Sequence, residues 1–517
     1  MSSSKADVFW ESKFANTLVP LFIFLLTGLA ILVTTHLPMT DLPQHLAITS
    51  ILKNLQNPDY GFAPFYQIEW THTLYLFPYW LALFFAKFLP LELAMRCVIT
   101  ISVLLYPLGI FLILRAQKKP GIFALLTLPL LFNRAFFWGF IHFNMSIGLA
   151  LLIIGLLLLP KQNLGKHLLI FVLSIILVLT HIYGLVFLFG FVFLNGIVGE
   201  RRQTLSYLKS LAPAVLGMGY WFWLQLNASS GYGKLIFISL WTRISQLGNS
   251  ILGGYQDSTE NALLVIWAGL LFLLCWKALP VTPKRWREST PLHKVFCLYI
   301  LLNIVLYMAL PLQTFTIKML YFRHAFLFAC LLPLLCSVEL WASKRKLLGP
   351  ALLLLALLSL GNTWFHLQAF DREANTFRRI LQALPQKPRV VSLIQHKHGK
   401  IMKTAPYAHF AGYVQAQKGG LIAVSFPRFF WNIPVTMHPK HGIPKTPRDL
   451  EWLPQRFNYK TFGYYYQYVI ARHTPRVLIP YSEGFPYKLQ LGYGRWQLYR
   501  YVPFKEAFSS PKQTPKK

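Results

Sequence analysis

Acidic residues are scarce in this chain: 17 Asp and Glu stand against 50 Lys and Arg in 517 residues. Charged residues of every kind make up 13%, about half of the roughly 25% expected of a soluble protein, and this excludes an ordinary soluble globular class. Cysteine is nearly as rare. All five (Cys97, Cys275, Cys297, Cys330 and Cys336) fall inside apolar runs, with none in the polar C-terminal part. That placement, with no Cys-x-x-Cys pair or Cys/His cluster, excludes a disulfide framework there and a zinc-finger pattern. No nucleic-acid motif accompanies the basic charge, so attraction to lipid headgroups or anionic lipid-linked substrates fits it better.

What is present is apolar residues, 55% of the chain, gathered into runs near 20 residues that can cross a ~30 Å hydrocarbon core. The first, Thr17 to His36, is too long for a signal-peptide core and has no small-x-small cleavage site after it, so it reads as an uncleaved anchor. Further runs fall near 74–89, 93–114, 120–132, 143–160, 168–184, 185–197, 208–226, 261–279, 295–312, 319–338 and 347–362. The fold class is therefore a polytopic α-helical membrane protein of about 11–13 spans. Cytoplasmic turns are marked by Lys5 and Lys13, by Lys161, Lys166, Arg201, Arg202 and Lys209, by Lys277 to Arg287, and by Lys344 to Lys346. One cluster, Arg115, Lys118 and Lys119, faces inward only if 74–89 or 93–114 fails to cross.

From about residue 366 the character changes, with 24 basic against 6 acidic residues to the end of the chain. Residues 370–383 read as an amphipathic connecting helix. Arg389–Ile394, Leu421–Ser425, Arg476–Ile479 and Trp496–Val502 read as short strands between helical segments and long loops. The expected organisation is a transmembrane domain over 1–365 with a first external loop at 37–73, a small α/β domain over 366–508 outside the cytoplasm, and a disordered tail at 509–517.

The richest stretch for chemistry is Thr40-Asp41-Leu42-Pro43-Gln44-His45, directly after the first apolar run. The loop it opens holds Asp41, Asp59 and Glu69 with His36, His45 and His72, and its only cation is Lys53. A carboxylate against apolar surroundings keeps a raised pKa and can take a proton from a hydroxyl nucleophile. The alternative is structural: Asp41 caps a helix starting at Leu42, with Pro43 in its first turn. Other polar groups sit at span ends: Arg134 beside the aromatic turn Phe136–Phe140, His181, and Lys318, Arg323 and His324. Ionisable residues at membrane depth face cavities or partners, and Arg suits phosphate; snorkelling is the plainer reading for Arg134 and Lys318. Asp257 and Glu260 lie in a glycine-bearing loop, 227–260, that either closes over a substrate or merely connects. His396, His398 and His409 show no carboxylate partner in the sequence and read as surface or packing residues.

Taken together, the first-loop motif, the many-span body and the terminal α/β domain resemble the GT-C superfamily of integral-membrane glycosyltransferases. Phe77-Pro78-Tyr79-Trp80, Leu93-Ala94-Met95-Arg96 and Asn133-Arg134 add to the likeness. Many members carry paired acidic residues in the motif; here one carboxylate is followed by a histidine. The resemblance implies a sugar donor linked to polyprenyl phosphate, and a glycolipid, polysaccharide or protein acceptor on the outer face of a bacterial inner membrane. It implies Asp41 as catalytic base, His45 as helper or metal ligand, Asp59 or Glu69 as a second carboxylate, and Arg323 on the donor phosphate. Arg134, His181, Lys318 and His324 complete the expected substrate-binding set. A divalent cation held by Asp41, His45 and Glu69 stays open. Rival readings are a lipid or sugar transporter, which favours inverted repeats that this chain lacks, and a surface-polysaccharide polymerase or ligase.

Overall fold

Residues 9–502 are described by a computed structural model, apart from 72, 161–162, 200, 228–233, 315–316, 431, 440–441, 445, 448 and 473–486. The expected strand at 476–479 and the tail from 509 lie outside the described residues. The chain divides into two compact units: residues 1–35, 74–81 and 93–367 form the first, and residues 36–73, 82–92 and 368–517 the second. The first external loop therefore groups with the C-terminal segment, whereas its place in sequence assigns it to the amino-terminal domain.

The first unit is helical because its apolar runs can satisfy their backbone only internally in lipid. Phe14–Val33, Leu91–Ala116, Ile141–Leu158, Pro291–Ala309 and Val338–Ala383 are long and apolar enough to cross a membrane. Shorter apolar helices cover Gly121–Leu131, Leu164–Val178, Ile182–Val198, Thr259–Cys275 and Tyr321–Leu335. Leu91–Ala116 has Glu92 in its first turn and Arg115 in its last, the signs that the helix dipole favours. It lies close against Ile141–Leu158: a Cβ on Gly148 would come 2.5 Å from the Cβ of Leu105, so only glycine lets these helices approach so closely. The expected span at 74–89 is instead a nine-residue helix, Phe77–Phe85. At 1.5 Å per residue it reaches about 14 Å, half a bilayer core. The helix lengths thus fit the alternative in which Arg115, Lys118 and Lys119 face inward.

The second unit is built around a five-stranded sheet in the order β3-β2-β5-β7-β6. Its strands are β2 (Arg389–Ile394), β3 (Leu421–Ile422), β5 (Tyr468–Arg472), β6 (Tyr487–Tyr493) and β7 (Trp496–Tyr501). β2 pairs in parallel with β3 and β5, while β7 runs antiparallel to β5 and β6. β2 and β5 are buried almost throughout, as parallel neighbours are. A separate pair joins β1 (Tyr66–Ile68) of the first loop antiparallel to β4 (Val435–Met437), with Gln67 opposite Thr436. The helix Leu42–Asn54 packs on Ala411–Lys418, and Ser50 Oγ donates to the Ala416 carbonyl at 2.8 Å. Phe377, Phe410 and Trp496 form an aromatic core. Beside it the buried Arg472 guanidinium lies 3.5 Å over the Tyr407 ring and pairs with Glu373 at 2.6 Å, which keeps the buried charge compensated.

Candidate active site

Asp41 sits at the N-cap position of Leu42–Asn54, with Pro43 in the first turn, yet its carboxylate makes no capping hydrogen bond. Capping is done by the backbone alone: the Asp41 carbonyl accepts from the Gln44 and His45 amides at 3.1 Å each. The carboxylate instead faces an imidazole, with Oδ1 3.5 Å from His409 Nε2. His409 stands just ahead of the helix Ala411–Lys418, and the Gly412 amide donates to its carbonyl at 2.9 Å. Gly412 permits the approach: a Cβ there would lie 2.4 Å from the Pro43 carbonyl oxygen.

The other nitrogen of His409, Nδ1, is hydrogen-bonded to Glu451. The Glu451 side chain is only 1% exposed, and its Oε1 accepts from Ser392 Oγ of β2 at 2.9 Å. A continuous line thus runs from Ser392 through Glu451 and His409 to Asp41. The expectation that His409 lacks a carboxylate partner is overturned, because both its ring nitrogens face carboxylates. The ring of Phe426 packs edge-on against both His45 and His409. Gln44 fixes that segment through Nε2 to the Val424 carbonyl, 2.9 Å, and Oε1 from the Phe426 amide, 3.1 Å.

Burial raises the Asp41 carboxyl to about 6; Glu451 pushes the same way and His409 partly opposes it. The side chain still keeps 19% of its surface open, so it is stripped of most hydration but remains reachable. Burial works against a charge on His409, but the Glu451 carboxylate, its hydrogen bond and Asp41 outweigh it and raise the imidazole above its ordinary range. A proton shared between two carboxylates is what such flanking favours. The arrangement is a carboxylate of raised basicity oriented by an imidazole that is itself held by the buried Glu451 carboxylate, the chemistry a general base requires.

The remaining expected acidic residues have other partners. Glu69 Oε1 accepts from Gln67 Nε2 and, at 3.3 Å, from Thr436 Oγ1 on the β1–β4 pair. Asp59 is exposed in the turn after Leu42–Asn54, where its amide donates to Asn57 Oδ1. The carboxylate coupled to Asp41 is Glu451. Nor are Asp41, His45 and Glu69 gathered as metal ligands: among the described residues no group of three or more His, Cys, Asp or Glu is placed to hold an ion.

The basic candidates lie in the first unit. Arg323 is 7% exposed. Its guanidinium carbon stands 4.8 Å from the Phe140 ring centre, 5.0 Å from Phe143 and 5.2 Å from Tyr183. Nε and Nη2 donate to the carbonyls of Met319 and Lys318. Arg134 lies over Phe322, which stacks on Phe140, so the two guanidinium groups flank one aromatic pair. His324 bridges Asn303 and the Tyr183 hydroxyl at 3.0 Å each, and His181 stacks on Tyr75 at 4.5 Å. Lys318 is exposed and contributes its carbonyl to Arg323. Arg134, His181, Arg323 and His324 are therefore brought into one aromatic-lined cluster. Asp257 and Glu260 hold their loop: Asp257 pairs with His366 at 2.6 Å, and Glu260 accepts from the Gly254 and Tyr255 amides.

Among solved structures, ArnT from Cupriavidus metallidurans in the apo state aligns over 93% of this chain and 97% of its own, with a TM-score of 0.58 at 10% identity. The chain has an ArnT-like fold. The oligosaccharyltransferase of Archaeoglobus fulgidus, solved tethered to an acceptor peptide, aligns over 90% of this chain and 70% of its own, with a TM-score of 0.45 at 13% identity. No protein-family profile matches the chain, and no curated protein matches it. Within this fold, the residues that sequence reasoning missed are His409, Glu451 and Ser392. One signal was available: Glu451 is among only six acidic residues after position 365.

Proposed function

We propose that the chain is a membrane glycosyltransferase that moves a sugar from a polyprenyl-phosphate donor to a hydroxyl-bearing glycolipid, polysaccharide or protein acceptor outside the cytoplasm of a bacterial inner membrane. The observation that carries this reading is the Asp41 carboxylate, released from capping and engaged with His409 and Glu451.

In the proposed step the acceptor hydroxyl gives its proton to Asp41 as its oxygen bonds to the sugar C1. The C1–O bond to phosphate breaks with inversion, and polyprenyl phosphate leaves with the electron pair. Positive charge developing on the sugar is favoured by the nearby carboxylates. His409 is a positioning residue that keeps Asp41 oriented and ionised. Arg323 is assigned to the donor phosphate, because planar guanidinium groups take phosphate oxygens in pairs. Arg134, His181, Lys318 and His324 are proposed as its supporting set.

The test is transfer of labelled sugar from a polyprenyl-phosphate donor to envelope glycolipids in proteoliposomes. Asp41→Asn is expected to remove turnover while the protein stays folded and membrane-inserted; unchanged turnover overturns the base assignment. Arg323→Lys is expected to raise the donor KM about tenfold or more, and an unaltered KM rejects the phosphate assignment separately.

A further inference from the structure

The segment Leu235–Ile244, between the helices Ala212–Asn227 and Thr259–Cys275, holds a concentration of outward-facing large apolar side chains. Leu235, Phe237, Leu240, Trp241 and Ile244 are all exposed, Trp241 at 77%. Such a face on a connecting loop is unfavourable in water by about 25 cal/mol for each Å² of apolar area. The loop is also firmly seated. Ser239 caps the helix Leu240–Ser245 by accepting from the Thr242 amide. From that helix Arg243, only 1% exposed, turns inward. Its Nη1 donates to the Tyr307 carbonyl at 2.7 Å, its own carbonyl accepts from the Tyr307 hydroxyl at 2.6 Å, and its guanidinium lies over Tyr321. The Ile236 amide donates to Gln313, which bridges to Lys318. A short helix with its one cation turned inward and its apolar residues outward is therefore a fixed ridge.

Two observations indicate what covers the ridge. The helices that flank it in sequence also present exposed large apolar side chains, Phe222, Trp223 and Leu226 before it and Val265 and Phe272 after it, as helix surfaces turned to lipid do. Its margin carries exposed cations, Lys234 and Lys318. Apolar and aromatic residues bordered by lysine are the pattern of an element lying in the headgroup–acyl boundary of an anionic leaflet. We propose that Leu235–Ile244 is a monotopic membrane-interface anchor, with Trp241 inserted shallowly among lipid chains. The loop at 227–260 then includes a lipid-bound shelf in place of a freely closing lid.

The test attaches a nitrobenzoxadiazole dye at Trp241→Cys, and separately at Leu240→Cys, in the full-length protein in phosphatidylethanolamine–phosphatidylglycerol vesicles. The parent protein, whose cysteines lie in apolar helices or at their ends, sets the labelling background, and Gln256→Cys, exposed in the following turn, is the aqueous control. Because both side chains are exposed, neither change opens a core. Lipid spin-labelled at carbon 5 is expected to quench dye at 240 and 241 at least twofold more than dye at 256, and more than lipid labelled at carbon 12, with iodide protection. Iodide quenching equal to the control overturns the proposal. Stronger quenching from carbon 12 overturns it in favour of a deeper insertion. Quenching by neither agent, with cross-linking between copies, overturns it in favour of a protein contact.

Discussion

Two opposed influences act on Asp41: burial and Glu451 favour its neutral form, and His409 favours its charge. With the carboxyl at about 6, a base mechanism loses activity below that pH, and kcat/KM is expected to fall tenfold per unit there. His409→Gln removes the opposing cation, so the acidic limb of the profile is expected to move above pH 6; a purely structural role for His409 would lower activity without moving that limb. Stability carries its own signature. The folded pKa of Asp41 lies above its ordinary 3.8, so between about 4 and 6 the native state binds more protons than the unfolded chain, and stability falls as pH rises through that window. A shift of this size corresponds to about 3 kcal/mol. Denaturant unfolding of Asp41→Asn is expected to show that part of the pH dependence flattened. His409 acts in the same direction: its raised pKa contributes stability that is present below about 6.5 and lost as pH climbs through its folded value.

Single elements decide whether those groups meet. Gly412 places the start of Ala411–Lys418 against Pro43, the residue two after Asp41. Gly412→Ala must push the helices apart and is expected to cost about 1–3 kcal/mol, seen in thermal unfolding, with a loss in kcat larger than the rise in KM. At this scale the sequence was legible where pattern was strong: the helix from Leu42, the buried run Arg389–Ile394 and the strand from Trp496 are found where their spacing predicts. It was not legible where pairing decides structure. β5 sits in a tyrosine-rich stretch without clean alternation, and β1 and β4 are three residues each, formed by pairing with one another. Asp41 could be singled out because it opens an acidic loop in a basic chain. His409 could not, because its meaning depends on a carboxylate that lies 42 residues further along.

At the scale of the whole molecule, the segment after residue 367 lacks parts of its own unit. The first loop supplies the helix Leu42–Asn54, the strand β1 and the phenol of Tyr66, which Gln415 Nε2 reaches at 2.7 Å. Residues 368–517 expressed alone are therefore expected to expose the apolar bed of that helix and to fail to pack. Size-exclusion chromatography and near-UV circular dichroism would report this, and co-expression with a 36–73 peptide is expected to recover part of the signal. The ArnT-like order of elements, helical body first and α/β segment last, was readable in the sequence; the grouping of the first loop with the last segment was not, because no local pattern records a contact between distant parts of the chain.

The hydrogen bonds from Gln44 to the Val424–Phe426 segment join positions 380 residues apart. At about 5–20 residues per second, a ribosome needs roughly 20 to 75 seconds to travel that distance. Through that interval Asp41 exists without His409 or Glu451. The nascent chain thus carries the Asp41 carboxylate without either group while its helices enter the bilayer, and every product truncated before position 409 lacks both contacts.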